Sequence, residues 1–364
     1  MKLRFSWGAA LFAASLSVAY ADSDAGAVFV MSNSADHNEV LTFSRSANGK
    51  LQATGRVSTE GRGSGGTTDP LGSQGSLTLS SDNRFLFAVN AGSGSISSFR
   101  VHGDDLRLVD VTHSGGSAPV AVAQWGDLVY VLNFAGNSSV VGFRLDEEGR
   151  LTEIHNSIRY LSTANSGASS LAFTPDGKSL IVTEKLNNLI DVFPVRSGGR
   201  LGTVVATKDP SAGLFDVVTA QQNTVIALEA GAGSISSFLV EAGALMPIGT
   251  PAATNGQASC WSVVTPDGKW VYTANSGSST ISGFRIVGAG SVTPVVPGSV
   301  VATLPAGSTD LDIAVSADSK FLYSLNSGAG SVGVFKINAD GTLTSRFVIG
   351  AFTATSGFNG IAAY

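Results

Sequence analysis

The chain has 364 residues, with 27 acidic against 22 basic side chains and a charged fraction of 13%, low against a typical ~25%. With that balance and no basic stripe, nucleic acid is excluded as a partner. The single cysteine, Cys260, excludes an internal disulfide, so stability must come from a large core and from topology.

The chain opens on Lys2 and Arg4, an apolar run from Trp7 to Val18, and Ala19-Tyr20-Ala21. A charged start, a short apolar core and a small-x-small site read as a secretory signal peptide over residues 1–21. The run is too short to span a bilayer, which needs roughly 20 apolar residues, and no later segment is long and apolar enough. The expectation is an exported chain, secreted or periplasmic, with no membrane span. Removing residues 1–21 takes two basic and no acidic residues, leaving a net charge of 20 − 27 = −7.

Residues 22–364 read as one domain built on a repeat. Its phrase first appears at Val28 to Asn33. It returns in full as Phe85 to Asn90, followed by a Gly/Ser turn and Ile96 to Val101, and again as Val129 to Asn133 with Val140 to Arg144. Further copies lie at Leu180 to Glu184, Val225 to Glu229, Val271 to Asn275 and Phe321 to Asn326. One copy resolves into four short strands: A at Leu171 to Phe173, B at Leu180 to Val182, C at Leu189 to Val195 and D at Leu201 to Ala206. The turns between them are rich in Pro, Asp and Gly. The C–D turn recurs as Asn48-Gly49-Lys50, Glu148-Gly149-Arg150 and Asp340-Gly341-Thr342. No 3.6-residue apolar period is sustained. Seven copies of a four-stranded antiparallel unit predict an all-β, seven-bladed β-propeller. The mature chain starts at a strand B, Ala27 to Met31, and Phe358 to Tyr364 resembles a strand A with no B after it. The ring is therefore expected to close by pairing the C-terminal strand with the N-terminal ones, which removes exposed sheet edges.

In such a ring the starts of strands A and the ends of strands B open on one face, so two columns of residues line a central mouth. The strand-B column is Asn33, Asn90, Asn133, Glu184, Glu229, Asn275 and Asn326. An Asn there is expected to cap its own turn two residues on. Glu caps poorly, which marks Glu184 and Glu229 as candidate catalytic carboxylates, acting as general bases or binding a cation. The strand-A column is Gln74, Ser169, Asp216, Cys260-Trp261, Asp310 and Asn359. From it, Gln74, Asp216, Trp261 and Asp310 are candidate substrate-binding residues, with Trp261 either a stacking surface or a wedge between blades. Lys185 and Arg62 are candidate carboxylate binders. Cys260 reads as a buried, inert thiol.

The long Gly-rich connection from Gly55 to Gly72 reaches the same face, as a lid or a disordered loop. Its Gly61-x-Gly63-x-x-Gly66 has no helix after it and is not a dinucleotide site. None of the four histidines falls in either column. Asn137-Ser138-Ser139 is a glycosylation sequon, relevant in a eukaryotic host.

Phe173-Thr174-Pro175-Asp176-Gly177-Lys178 with Ile181 to Asn188, and Cys260 to Asn275, resemble the seven-bladed lactonase family. That family includes propeller-type 6-phosphogluconolactonase and 3-carboxy-cis,cis-muconate lactonising enzyme. The resemblance implies a hydrolase or cycloisomerase without a redox cofactor, acting on a small carboxylated lactone or related acid. It also implies Gly-Pro-Arg-His at the start of one strand A and Asn-Glu at the end of the next strand B. Here those stretches are Gly167-Ala168-Ser169-Ser170 and Glu184-Lys185. Three readings follow. One is an exported lactonase using Glu184 and Glu229. The second is a non-catalytic binding or surface-interaction propeller, and the third is a Ca²⁺-dependent mouth. A monomer is expected in each.

Overall fold

The computed structural model describes residues 25–364, so the signal-peptide expectation for residues 1–21 lies outside the described residues. Seven antiparallel sheets form a closed ring of blades. Blade 1 takes strands B to D from Gly26–Met31, Glu39–Arg45 and Leu51–Ser58, and its strand A from Ile361–Ala363. The register Val28↔Ala363, Phe29↔Ala362, Val30↔Ile361 closes the ring as expected. Strands A and B of blades 2 to 7 are, in turn, Leu77–Leu79 and Phe85–Asn90, Pro119–Trp125 and Leu128–Asn133, Ala168–Phe173 and Ser179–Glu184. They continue with Leu214–Ala220 and Thr224–Glu229, Ser259–Val264 and Trp270–Asn275, Asp310–Val315 and Phe321–Asn326. Strand D is split in two in blades 3 and 6.

Every strand B is buried along its whole length. A strand flanked by sheet neighbours on both edges and by blades on both faces has no solvent side. That explains continuous apolar runs such as Phe85-Leu86-Phe87-Ala88-Val89 in place of alternation. In blade 4, strand D falls at Val205–Lys208 and not at Leu201 to Ala206. Strand C stops at Pro194, and the following turn carries Gly198 and Gly199 at φ 76° and 78°. Leu201 makes only a lone bridge to Val195 before the ladder resumes.

The recurrent C–D glycine has a packing role as well as a turn role. Gly149 has φ +98°, and a Cβ there would meet the Phe85 ring of the preceding blade at 2.5 Å. Gly341, at φ +85°, sits the same way on Trp270, and Gly49, at φ +88°, on Phe321 across the ring closure. Two further seam bonds join the same regions: Tyr130 Oη donates to the Gly199 carbonyl at 2.7 Å and Tyr272 Oη to Gly341 at 2.8 Å. Gly149→Ala is expected to destabilise the fold by roughly 2–4 kcal/mol, combining left-handed backbone strain with overpacking. Chemical denaturation checks this; a loss below about 0.5 kcal/mol, the usual surface value, would contradict it.

Candidate active site

The strand-B column is a set of seam fasteners. Asn90 is fully buried and donates to Ser95 and Ser97 Oγ on its own strand C, at 3.3 and 2.8 Å. Its Oδ1 accepts from Thr59 Oγ1 at 2.7 Å, in the connection arriving from blade 1. Asn275 repeats the donor half with Thr280 and Ser282, while its Oδ1 accepts from Ser259 at the start of its own strand A. These bonds reach five and seven residues on, not the two of a local turn cap, because the side chain lies between two blades.

Glu184 and Glu229 occupy the same seams, and both are fully buried. The expectation that they face a shared open mouth is not met. Glu184 accepts from Ser162 Oγ at 2.8 Å, from the Thr163 amide at 3.1 Å and from Thr163 Oγ1. Asp191 stands seven residues on, where Ser97 and Ser282 stand in other blades. Burial raises its pKa and the adjacent Glu184 adds to the rise, against the lowering Ser162 bond. Glu229 accepts from Ser234 at 2.7 Å, while its Oε1 and Asp209 Oδ2 are buried with no other partner. Burial raises the pKa of both carboxyls, and the neighbouring Asp209 carboxyl adds to the rise at Glu229. Asp191 and Asp209 went unnoticed in the sequence; aligning the repeats seven residues past each column position, and at the Thr59 and Thr254 positions, exposes them.

The strand-A column is also tied into the ring. Asp216, fully buried, bridges three blades by accepting from Ser170 Oγ at 2.7 Å and from the Ser262 amide at 3.0 Å. Burial raises its pKa to about 6. Asp312, another residue the sequence reading passed over, accepts from the Ile361 amide at 2.9 Å and joins blade 7 to blade 1. Burial raises it to about 7.

The connection between blades 1 and 2 is neither disordered nor an open lid. Its last part, Asp69 to Gly75, is a strap across the mouth. Ser73 Oγ donates to the Val120 carbonyl at 2.8 Å, and the Gln74 amide to Ser169 at 2.9 Å. Lys185 Nζ donates to the Gly72 carbonyl at 2.7 Å, and Trp261 Nε1 to Ser73 at 3.0 Å. Asp69 anchors the strap by accepting from the Gly72 amide and from Asn359, at 3.0 and 3.2 Å. Trp261 is therefore a buried prop under the strap, edge-on to Phe215 at 5.3 Å. Arg62 is exposed and lies over the blade 2 turn, where its backbone bonds Gly92 and Ser93.

Ionisable residues converge on Cys260: Asp69 of the strap, Lys185, Asp216 and Asp310 all act on its thiol through charge, and Asp69 and Lys185 act on each other. Lys185 Nζ lies 5.1 Å over the Phe215 ring, and burial lowers its pKa while Asp69 pulls it back up. The Cys260 thiol is held protonated, with its pKa raised to about 12 by burial and then by Asp69. Asp310 is fully buried, neither carboxyl oxygen has a hydrogen-bond partner, and burial raises its pKa to about 8. Among the described residues, no group of three or more His, Cys, Asp and Glu side chains is placed to hold a metal ion. No helix among them is long and apolar enough to cross a membrane.

A closed ring of seven four-stranded blades with a polar mouth defines the class, a seven-bladed β-propeller of the lactonase type. The chain belongs to the family described as "Lactonase, 7-bladed beta-propeller", which matches residues 23–162 and 215–349. The unmatched interval is essentially blade 4, which carries Glu184 and Lys185, yet it folds as a regular blade. No curated protein sequence matches the chain. Among solved structures, it is similar to a 6-phosphogluconolactonase assigned as putative in Bacteroides uniformis. That likeness has 19% identity and a TM-score of 0.74, covering 94% of this chain and 100% of that one. It is also similar to a periplasmic gluconolactonase of Pseudomonas aeruginosa (15%, TM-score 0.72, 93% and 98% covered). A virginiamycin B lyase of Staphylococcus aureus is a more distant likeness (14%, TM-score 0.54, 77% and 86% covered). At these identities the structural likenesses establish the fold.

The buried acids set a pH dependence of stability. Their folded pKa values are raised, so the folded state keeps protons that unfolded carboxyls lose near pH 4. Their stabilising contribution is complete below about pH 4 and is lost as pH rises through 6 to 8. The turn aspartates Asp82, Asp176, Asp267 and Asp318 have lowered pKa values, so their contribution disappears only as pH falls below about 3.8. The melting temperature is expected to be higher at pH 5 than at pH 8, by about 5 °C or more. Glu229→Gln should flatten that slope by removing one titrating pair. Calorimetry across pH checks both; a melting temperature that rises from pH 5 to pH 8 would contradict the assignment.

Proposed function

We propose that this propeller opens a small carboxylated lactone by hydrolysis beneath the strap, with Asp310 as general base and Lys185 as the cationic group. The observation that carries the reading is the buried, unpartnered carboxyl of Asp310 in the same cluster as the Lys185 ammonium. Family membership supplies the reaction class. In the proposed reaction Asp310 takes a proton from water as the water oxygen bonds the lactone carbonyl carbon. Lys185 stabilises the oxygen that gains negative charge. The ring C–O bond then breaks, and Asp310 returns the proton to the leaving alkoxide. A pKa near 8 suits a group that must both accept and return a proton near neutral pH. Substrate entry requires the Lys185–Gly72 bond to open, with the substrate carboxylate exchanging for the strap carbonyl.

Lys185→Met and Asp310→Asn are each expected to lower kcat/KM by about 100-fold or more on any lactone turned over, the usual loss for one such group. Glu184→Gln and Glu229→Gln, the residues first marked by their column, should retain kcat/KM within a few-fold while shifting stability. The reverse pattern would move the chemistry to the seam carboxylates. If no lactone in a broad panel is hydrolysed by the wild type, the second reading stands. That reading is a binding propeller, favoured by Ala168-Ser169-Ser170 standing where the family carries Pro-Arg-His and by a strap already bonded to blades 3, 4 and 6.

Export is part of the proposal, supported by the pattern of residues 1–21. A mature protein recovered outside the cytoplasm should begin at Asp22 by N-terminal sequencing; an intact Met1 would contradict it.

A further inference from the structure

The turns that join strand B to strand C emerge on the mouth face, and in five blades the two residues after the strand-B column are small. They are Ser34-Ala35, Ala91-Gly92, Ala230-Gly231, Ser276-Gly277 and Ser327-Gly328. Packing requires this. A Cβ at Gly92 would meet the Gly63 carbonyl at 2.2 Å, and one at Gly328 the Gly307 carbonyl at 2.4 Å, each in the connection arriving from the preceding blade. Two neighbouring blades break the rule. Blade 3 carries Phe134-Ala135 and blade 4 carries Lys185-Leu186. Phe134 is 41% exposed and Leu186 69%.

Both turns are fastened to the start of their own strand A. The Phe134 amide donates to the Ala118 carbonyl at 3.0 Å, and the Lys185 and Leu186 amides to Gly167 and Ser166 at 3.3 and 3.1 Å. Leu186 and the stem of Lys185 pass together over Gly167, where a Cβ would meet their Cγ atoms at 2.5 and 3.1 Å. The strap is seated on the same two blades. Ser73 bonds Val120, two residues past Ala118, and Gln74 bonds Ser169, two residues past Gly167. Two residues of strand span roughly 7 Å. Lys185 Nζ reaches the Gly72 carbonyl, whereas the Leu186 side chain is left in water. One exposed apolar side chain is ordinary. Two at one turn position, in adjacent blades and beside a half-buried ammonium, match a ligand that is apolar at one end and anionic at the other.

We propose that Phe134 and Leu186 determine specificity at the mouth, receiving the alkyl or aryl group of a substrate whose carboxylate is held by Lys185. The inference rests on the anion-holding role given to Lys185 above and narrows the substrate to amphiphilic acids. A polyhydroxylated acid finds no polar side chain at these two positions.

Titration calorimetry on the whole protein tests the proposal with 4-phenylbutanoate and butanoate as probes. The phenyl acid is expected to bind saturably and about tenfold more tightly than butanoate. Leu186→Ser and Phe134→Ser, both at exposed positions, should each weaken it about fivefold and leave butanoate within about twofold. Lys185→Met should weaken both acids. Equal affinity for the two acids, equal weakening of both by the serine variants, or absence of saturable 4-phenylbutanoate binding would overturn the proposal. If Lys185→Met leaves both acids unaffected while the serine variants still discriminate, the Lys185 role in the proposed reaction fails and the apolar contact stands. A dimer in sedimentation velocity that Leu186→Ser dissociates would assign the patch to a second copy of the chain and overturn the proposal.

Discussion

The fold depends on how neighbouring blades are fastened where strand B ends. Each sheet is twisted and wedge-shaped, so blades meet along narrow seams in which water has no place. A polar backbone turn must cross every seam, and its groups need partners there. Asn90 meets that need with an amide that donates to strand C and accepts from the incoming connection, while Asn275 donates to strand C and accepts from Ser259 on its own strand A. Where the chain places Glu instead, the donor half is lost, and burial of Glu229 beside Asp209 raises the pKa of both carboxyls. The seam chemistry, more than the apolar core, sets how this propeller responds to pH.

The same constraint separates two kinds of buried acid. Asp216 and Asp312 are bonded to amides and hydroxyls of adjacent blades, so they serve the ring. Asp310 sits two residues before Asp312 in the same strand, and its carboxyl oxygens have no hydrogen-bond partner. A β-strand turns successive side chains to alternate sides, but the bulge between Asp310 and Ile313 breaks that alternation. Two aspartates so close in sequence thereby meet different surroundings, one tied into the ring and one whose carboxyl oxygens have no partner.

Much of the architecture was legible because it is repetitive. Seven copies of one phrase gave the blade count, and the isolated strand at each end gave the closure through Ile361–Ala363. The C–D glycines were visible as turns, though their seat on Phe85 and Trp270 depends on the next blade and has no local signature. The site was harder to read for a related reason. A column in a repeat identifies equivalent positions without saying whether they face solvent or a seam, and Glu184 and Glu229 turned out to face seams. Lys185, Gln74, Trp261 and Asp310 were picked from the sequence and do lie at or beneath the strap. Asp69 and Phe215 were not picked, because the strap folds over the mouth through bonds to blades 3, 4 and 6, distant in sequence and without a spacing rule.

Blade 1 is shared between residues 26–58 and 361–363, so Tyr364 and Ala27 are hydrogen-bonded neighbours although 337 positions separate them. Topologically the polypeptide is then a circle that is cut inside one sheet. No blade is first in any physical sense, since each has a neighbour on both sides. A short linker joining Ala25 to Tyr364, with a new break in a C–D turn that carries no seam glycine, such as the one at Ala242, would leave the glycine knobs in place. The order of blades around the ring, and not the order in which the chain visits them, is what the sequence has to encode.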